Sequence, residues 1–255
     1  MVNILAVGDV VGQNGLEYLT RNLYSLQREY DAAFTVVNAE NAQGRGLFST
    51  DADAVFDAGA DVITLGNHAY SKREICDYLD ETANIIRPAN YAAAAPGVGE
   101  CTVERAFGSV RVICLIGRKD LDYSPDNPFV TASRLLADGT STITLVDFHA
   151  EATSEKKALA WYLDGKVSAF WGTHTHVQTS DARVLPGGTG YVTDLGMTGP
   201  ADSVIGMDVR QSVNMFLGLP KDSYRAAAGI CVIEGAVFSV DELSGKCASV
   251  RIFRR

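Results

Sequence analysis

The sequence predicts an α/β protein in which a later, strand-rich part forms a second sheet. Three observations carry this reading. Short β-branched runs of buried-strand length recur along the chain. Helical apolar patterns alternate with the early runs. All four histidines sit in short polar segments that directly follow such runs.

The strand runs are 2–7, 34–37, 62–65, 110–116, 142–146 and 167–171. Between the first two, Leu16, Leu19, Leu23 and Leu26 form a stripe at spacings of three and four, which suits a helix laid on a sheet. Ser71 followed by Glu74 reads as a capping box that opens a helix through about Leu79. Segment 87–100, with its Pro and Gly residues, reads as a long connection. Segment 158–163 is a second short amphipathic helix, with acidic Glu155 near its start. Segment 187–206 reads as irregular, and loops of that size are often functional. Segments 229–240 and 247–253 form a closing hairpin. Neither a repeat nor a low-complexity tract interrupts the chain.

Composition narrows the function. Of 255 residues, 47% are apolar and 21% charged, as in an ordinary globular protein. The formal net charge of −9 argues against a surface that coats nucleic acid. It does not argue against an anionic substrate, because bound cations can set the local field. The five cysteines are dispersed, odd in number and without a CxxC pair, which fits reduced thiols in a cytoplasmic protein. No signal-peptide pattern is expected ahead of Asp9, and no apolar run has the roughly 20 residues that a membrane span needs.

The polar segments carry the chemistry. Asp9 follows the first run, Glu40 and Asn41 the second, and Asn67 and His68 the third. His149 follows run 142–146, and His174 and His176 follow run 167–171. Parallel strands present their carboxyl ends on one edge, so these strand ends deliver Asp, Glu, Asn and His to one region. A lone histidine is usually an ordinary surface or core residue; four placed this way are poorly explained as structure alone. In extended backbone His174 and His176 point to the same face, where they can serve two neighbouring ions. Imidazole with carboxylate and amide oxygen suits Mn, Fe or Zn, and the lack of Cys ligands argues against a structural zinc site. Two cations about 3.5–4 Å apart clamp a phosphate and turn a bridging water into hydroxide.

The ordered set Gly8-Asp9, Glu40-Asn41, Gly66-Asn67-His68, His149 and Gly172-Thr173-His174-Thr175-His176 resembles that of calcineurin-like metallophosphoesterases. Gly8-Asp9-Val10-Val11-Gly12, the segment from Asp147 to Lys156, the segment from Gly172 to Thr179 and Gly196-Met197-Thr198-Gly199-Pro200 bring it closer to the bacterial YmdB-like subfamily. The resemblance implies one domain over 1–255, built as two central β-sheets sandwiched between helices. It implies a phosphodiesterase acting on small phosphate esters, with 2′,3′-cyclic nucleotides as the candidate class. It also implies two divalent or mixed-valence transition-metal ions, Fe or Mn ahead of Zn. Asp9, Glu40 and His176 would hold one ion. Glu40 would bridge to a second held by Asn67, His149 and His174, with Asn41 beside them as a ligand or phosphate contact. His68 would be the general acid, or would hold the phosphate in the transition state. Two positions depart from the wider superfamily. Val11 stands where a His is usual, so the first ion has fewer ligands. Ala69 stands where an acid is common, so His68 needs another hydrogen-bond partner.

Among other residues, Arg45 reads first as a solvated loop arginine, Thr173 and Thr175 as supporting donors or β-favoured residues, and 196–206 as a cover for the site or a plain loop. No stable nucleic-acid or membrane partner is expected, and a homo-oligomer is left open. Two other functions compete. A mononuclear iron oxygenase leaves Asn67 and His68 without a role. A metal-bound regulatory protein with incidental hydrolase activity would not need His68. The dinuclear reading predicts about two transition-metal ions per chain, with His149→Ala and His174→Ala each losing metal. A fully loaded protein carrying one ion in every metal tried would favour the mononuclear site instead.

Overall fold

Each apolar run is a strand buried on both faces, with alternate side chains entering different cores. The computed structural model describes residues 1–121, 124–137, 139, 141–220 and 225–255. In chain order the elements are β1 (Val2–Val7), β2 (Asp9–Val10), α1 (Gly12–Glu29), β3 (Ala32–Asn38), α2 (Ser49–Asp57), β4 (Val62–Thr64), α3 (Ile75–Glu81) and β5 (Ile85–Ile86). They continue with β6 (Glu100–Arg105), β7 (Gly108–Ile116), α4 (Pro128–Ala137), β8 (Ile143–His149), α5 (Thr153–Leu163), β9 (Ala169–Thr173) and β10 (Arg183–Val184). The chain closes with β11 (Gly190–Val192), β12 (Met197–Pro200), α6 (Val209–Phe216), β13 (Cys231–Val240) and β14 (Cys247–Arg254).

Two sheets lie face to face. The first has eight strands in the order β2-β12-β13-β1-β3-β4-β5, with β14 also paired to β13, and the second runs β10-β11-β9-β8-β7-β6. Ile4 and Ala6 of β1 join Phe34, Val112, Leu145 and Trp171 in the core between the sheets. Leu5 and Val7 point the other way, onto the α1 stripe Leu16, Leu19, Leu23 and Leu26. On the far side, Phe148 and Phe170 of the second sheet pack against Leu159 and Leu163 of α5. The result is a sandwich of two sheets between two helical layers.

Several expectations change. The closing hairpin forms, and it belongs to the first sheet: β13 pairs antiparallel with β1, from Val2↔Val240 to Val7↔Gly235. The second sheet comes from the middle of the chain, between Glu100 and Val192. Both faces of β13 are apolar, because Phe238 enters the core between the sheets and Val237 the helical side, so it needs an interior position. The capping box at Ser71 does not form. Helix α3 starts at Ile75, and the Glu74 carboxylate accepts from the Ser49 backbone N and hydroxyl. Helix α5 begins at Thr153 and not Ala158. The irregular 187–206 segment contains β11 and β12. The cysteines behave as expected: none is bonded, and four are buried. No helix among the described residues is long and apolar enough to cross a membrane.

Trp171 is 1% exposed between the sheets and packs on Phe238 at a centroid distance of 5.5 Å. Trp171→Ala is expected to cost about 3–5 kcal/mol, read as a lower urea midpoint at unchanged slope. A cost under about 1 kcal/mol would mean that the two sheets do not share one cooperative core.

Candidate active site

The carboxyl ends of β1, β3, β4, β8 and β9 meet at one edge of the sandwich and bring every predicted residue together. Asp9, Glu40 and His149 are each 0% exposed. His149 Nε2 lies 2.8 Å from Asn67 Oδ1, 3.0 Å from Glu40 Oε1 and 3.0 Å from His174 Nδ1. One ring nitrogen therefore faces three potential ligand atoms. Glu40, His149 and His174 offer atoms that all lie within 4.8 Å of one another. His176 Nε2 is 3.7 Å from Asp9 Oδ1, on the other side of the cluster. That Asp9 oxygen is buried with no hydrogen-bond partner, an expensive state for a carboxylate unless a cation meets it.

Close approach requires Gly66. A Cβ there would lie 2.3 Å from His149 Cδ2, so any side chain would push the imidazole out of the cluster. The backbone at His174 and His176 is not extended, as the sequence reading assumed; φ is +100 and +62. The cause is Asp194, whose carboxylate accepts from the Thr175 hydroxyl at 2.8 Å and backbone N at 3.3 Å and curls the segment. Asp194 in turn meets Lys156 at 2.7 Å, both essentially buried. The two imidazoles thus serve different neighbours because the chain turns between them.

The supports of this cluster were largely missed from sequence. Asp147, two residues before His149 on the same strand face, accepts from Thr173 Oγ1 at 2.8 Å and Thr64 Oγ1 at 2.5 Å. With its hydrogen given to Asp147, the Thr173 hydroxyl accepts from His149 Nδ1 at 3.0 Å. That chain fixes Nδ1 as a donor and leaves Nε2 for the cluster. The spacing Asp-x-His in a strand was the available signal for Asp147. For Lys156 and Asp194 there was none, since they meet only in the fold.

The unidentified partner of His68 is Asn41. Asn41 Nδ2 lies 3.3 Å from Glu40 Oε1, which orients the amide, and its Oδ1 accepts from His68 Nδ1 at 2.9 Å. The His68 backbone N donates to Glu40 Oε2 at 2.9 Å. His68, His174 and His176 open onto a cleft of about 540 Å³, which Arg45, Ile205 and Met207 also line. A larger cleft of about 760 Å³ beside Arg87 and Arg134 contains none of these residues. Val11, in the place of the usual histidine, is 1% exposed and packs with Met197 and Met207 as a dry wall.

Electrostatics follow from the burial. Burial resists ionisation of Glu40, but the charge and hydrogen bonds of His149 and His68 hold its carboxyl well below the usual range. Burial raises Asp9, although His176 and His149 pull against it. Burial also pushes Asp147 up to about 6, against its bonds from Thr64 and Thr173. Burial would lower His149, yet the carboxylates of Glu40, Asp9 and Asp147 outweigh it and push the ring up to about 9. Burial and the charge on His149 push His174 down to about 3. Acid-rich and dry, the cluster calls for cations.

Known proteins match this chain over nearly its whole length. The profile of the family described as YmdB-like protein matches residues 5–253. The chain is 41% identical over 252 residues to a 2′,3′-cyclic-nucleotide 2′-phosphodiesterase of Bacillus subtilis (strain 168), covering 98% of this chain and 95% of that one. It resembles a crystal structure of a hypothetical protein from Thermus thermophilus, with TM-score 0.92, 38% identity, and 100% and 99% of the two chains covered. A crystal structure of a novel phosphatase from Mycoplasma pneumoniae matches with TM-score 0.94 and 31% identity over 100% of this chain and 93% of that one.

In protein stripped of metal, His149 should stay cationic through pH 8 and titrate near 9, while His174 stays neutral down to pH 4. Nitrogen-15 NMR of the rings reads both. The His149 pKa of about 9 lies above the usual 6.5, so its proton stabilises the metal-free fold fully below pH 6.5. That contribution is lost as the pH rises through about 9. A neutral His149 ring at pH 7 would contradict the carboxylate-dominated field.

Proposed function

We propose that this chain, which belongs to the YmdB-like protein family of the calcineurin-like metallophosphoesterases, is a metal-dependent phosphodiesterase that hydrolyses 2′,3′-cyclic nucleotides. The coarser activity, hydrolysis of phosphoester bonds, is common to the phosphodiesterase and the phosphatase it matches. One observation carries the finer reading. Beside a buried cluster with ligand atoms from Glu40, His149 and His174, His68 is held at the cleft by Asn41 and remains partly exposed.

The residues fit a two-ion centre. Asp9, Glu40 and His176 would hold one ion, with Asn41 beside it, and Glu40, Asn67, His149 and His174 the other. The unpartnered Asp9 oxygen and the crowd of acceptors around His149 Nε2 are the features that support this assignment. When bound, two such ions, Fe or Mn ahead of Zn, would clamp the phosphate and supply hydroxide at neutral pH.

The chain's own groups do the rest. Asn41 Oδ1 accepts a hydrogen bond from Nδ1–H of His68, so Nε2 is the nitrogen that carries and releases the acidic proton. Water gives up one proton to solvent and adds its oxygen to phosphorus, one ester P–O bond breaks, and His68 protonates the departing ribose oxygen and regains its proton from solvent. The product is a nucleoside monophosphate with one ring hydroxyl free. Thr173 and Asp147 keep the His149 ring oriented throughout.

His68→Ala should lower turnover by about 10²–10⁴-fold while keeping metal content near wild type. The loss should shrink on a nitrophenyl ester, whose leaving group scarcely needs a proton, and stay full on a ribose ester. If the variant loses metal, the assignment of His68 fails. Equal loss on both esters with metal retained would move His68 from proton donor to phosphate positioning.

A further inference from the structure

Five non-glycine residues have positive φ among the described residues: Asp31, Asp120, His174, His176 and Ile205. Asp and His tolerate left-handed backbone; a β-branched isoleucine does not, and at φ +47 Ile205 is the outlier. It is followed by Gly206 at φ +94. The two are the central residues of a tight turn closed by Val204 N–H to Met207 O and Met207 N–H to Val204 O, both 2.9 Å. Turns with positive φ at both centres favour Asn-Gly. Gly206 meets that demand and has a second reason to be there, since a Cβ would lie 2.4 Å from Val11 Cγ1. Ile205 breaks the preference.

Among the described residues, no hydrogen bond or core position depends on that side chain. The Ile205 carbonyl accepts from His176 Nδ1 at 2.8 Å and so orients that imidazole, but any residue supplies a carbonyl. The side chain is 45% exposed, so it is not there to fill a core. It lines the 540 Å³ cleft next to Met207 and Val11, while Arg45, Ser71 and Glu151 make the same cleft polar elsewhere. Strain tolerated at a cleft points to a contact made with something bound in it. Phosphate and ribose are polar and suit the imidazole and amide cluster. The part of a cyclic nucleotide with apolar faces is its base.

We propose that Ile205 is a specificity-determining residue that receives the face of the substrate's nucleobase, held there by a turn that would be more relaxed with asparagine. This rests on the phosphodiesterase reading above. The test compares Ile205→Asn with wild type on a nucleoside 2′,3′-cyclic phosphate and on methyl riboside 2′,3′-cyclic phosphate, which keeps phosphate and sugar but has no base. Wild type should prefer the nucleoside ester in kcat/KM, and the variant should lose about tenfold of that preference, as expected for one apolar contact. The change should fall on KM for the nucleoside ester, and Ile205→Val should keep the preference. The unfolding temperature of Ile205→Asn should equal or exceed that of wild type, because asparagine suits the turn. An unchanged preference overturns the base contact. So does a fall in kcat on both esters, which would instead mean a disturbed His176, and so does a lowered unfolding temperature. Wild-type protein inactive on both esters, loaded with Mn or Fe, overturns the phosphodiesterase reading itself and this contact with it.

Discussion

Glu40 and His149 meet in a space closed to water, with the carboxylate oxygen 3.0 Å from the ring nitrogen and neither side chain exposed. A buried carboxylate needs hydrogen bonds or positive charge, and for Glu40 the first source of charge is the proton on His149. Asp9, Asn67 and His174 then crowd around the same ring with further lone pairs. One proton cannot satisfy them all. Glu40, His149 and His174 are a group that could hold a metal ion, and much of the surrounding architecture follows from keeping these acceptors together. The parallel strands bring the candidate ligand atoms to one edge, Gly66 leaves room for the ring, and Thr173 with Asp147 fixes its donor side.

A second set of interactions gives the site its two-sided form. His174 and His176 are separated by one residue but face different neighbours, and the turn between them depends on Asp194 gripping Thr175. Asp194 is buried and would be costly alone; Lys156 neutralises it from helix α5. Removing one partner of such a pair costs about 3–5 kcal/mol, so the shape of the histidine turn is tied to the packing of α5 on the second sheet.

Asn41 and Val11 show how the site differs on its two flanks. On one, the Asn41 amide links Glu40 to His68, which ties the pose of the imidazole to the carboxylate beside it. On the other, Val11 forms an apolar wall that touches Met207 and the turn carrying Ile205. The cleft is in this way polar beside the imidazole and amide cluster and apolar along Val11, Ile205 and Met207.

The layered α/β character was legible because strand and helix periods are local properties of the chain. The β1 run, the leucine stripe of α1 and the closing hairpin all occur where their periodicity places them. The candidate residues were legible for the same reason, since Asp9, Glu40, Asn67, His149 and His174 each follow or end an apolar run. Strand pairing was not. The apolar run shows that β13 is a buried strand but not that its neighbour is β1, so the sheet it joins could not be read from sequence. Ser71 and Glu74 had the spacing of a cap, yet Ser49, distant in sequence, competes for the glutamate. Tertiary structure also decided the left-handed turn at His174 and His176, the pairing of Asn41 with His68 and the Lys156–Asp194 support. Each of these is a contact between segments far apart in the chain, whose partners become neighbours only when strands pair within a sheet, β3 with β4 for Asn41 and His68 and β9 with β11 for Thr175 and Asp194.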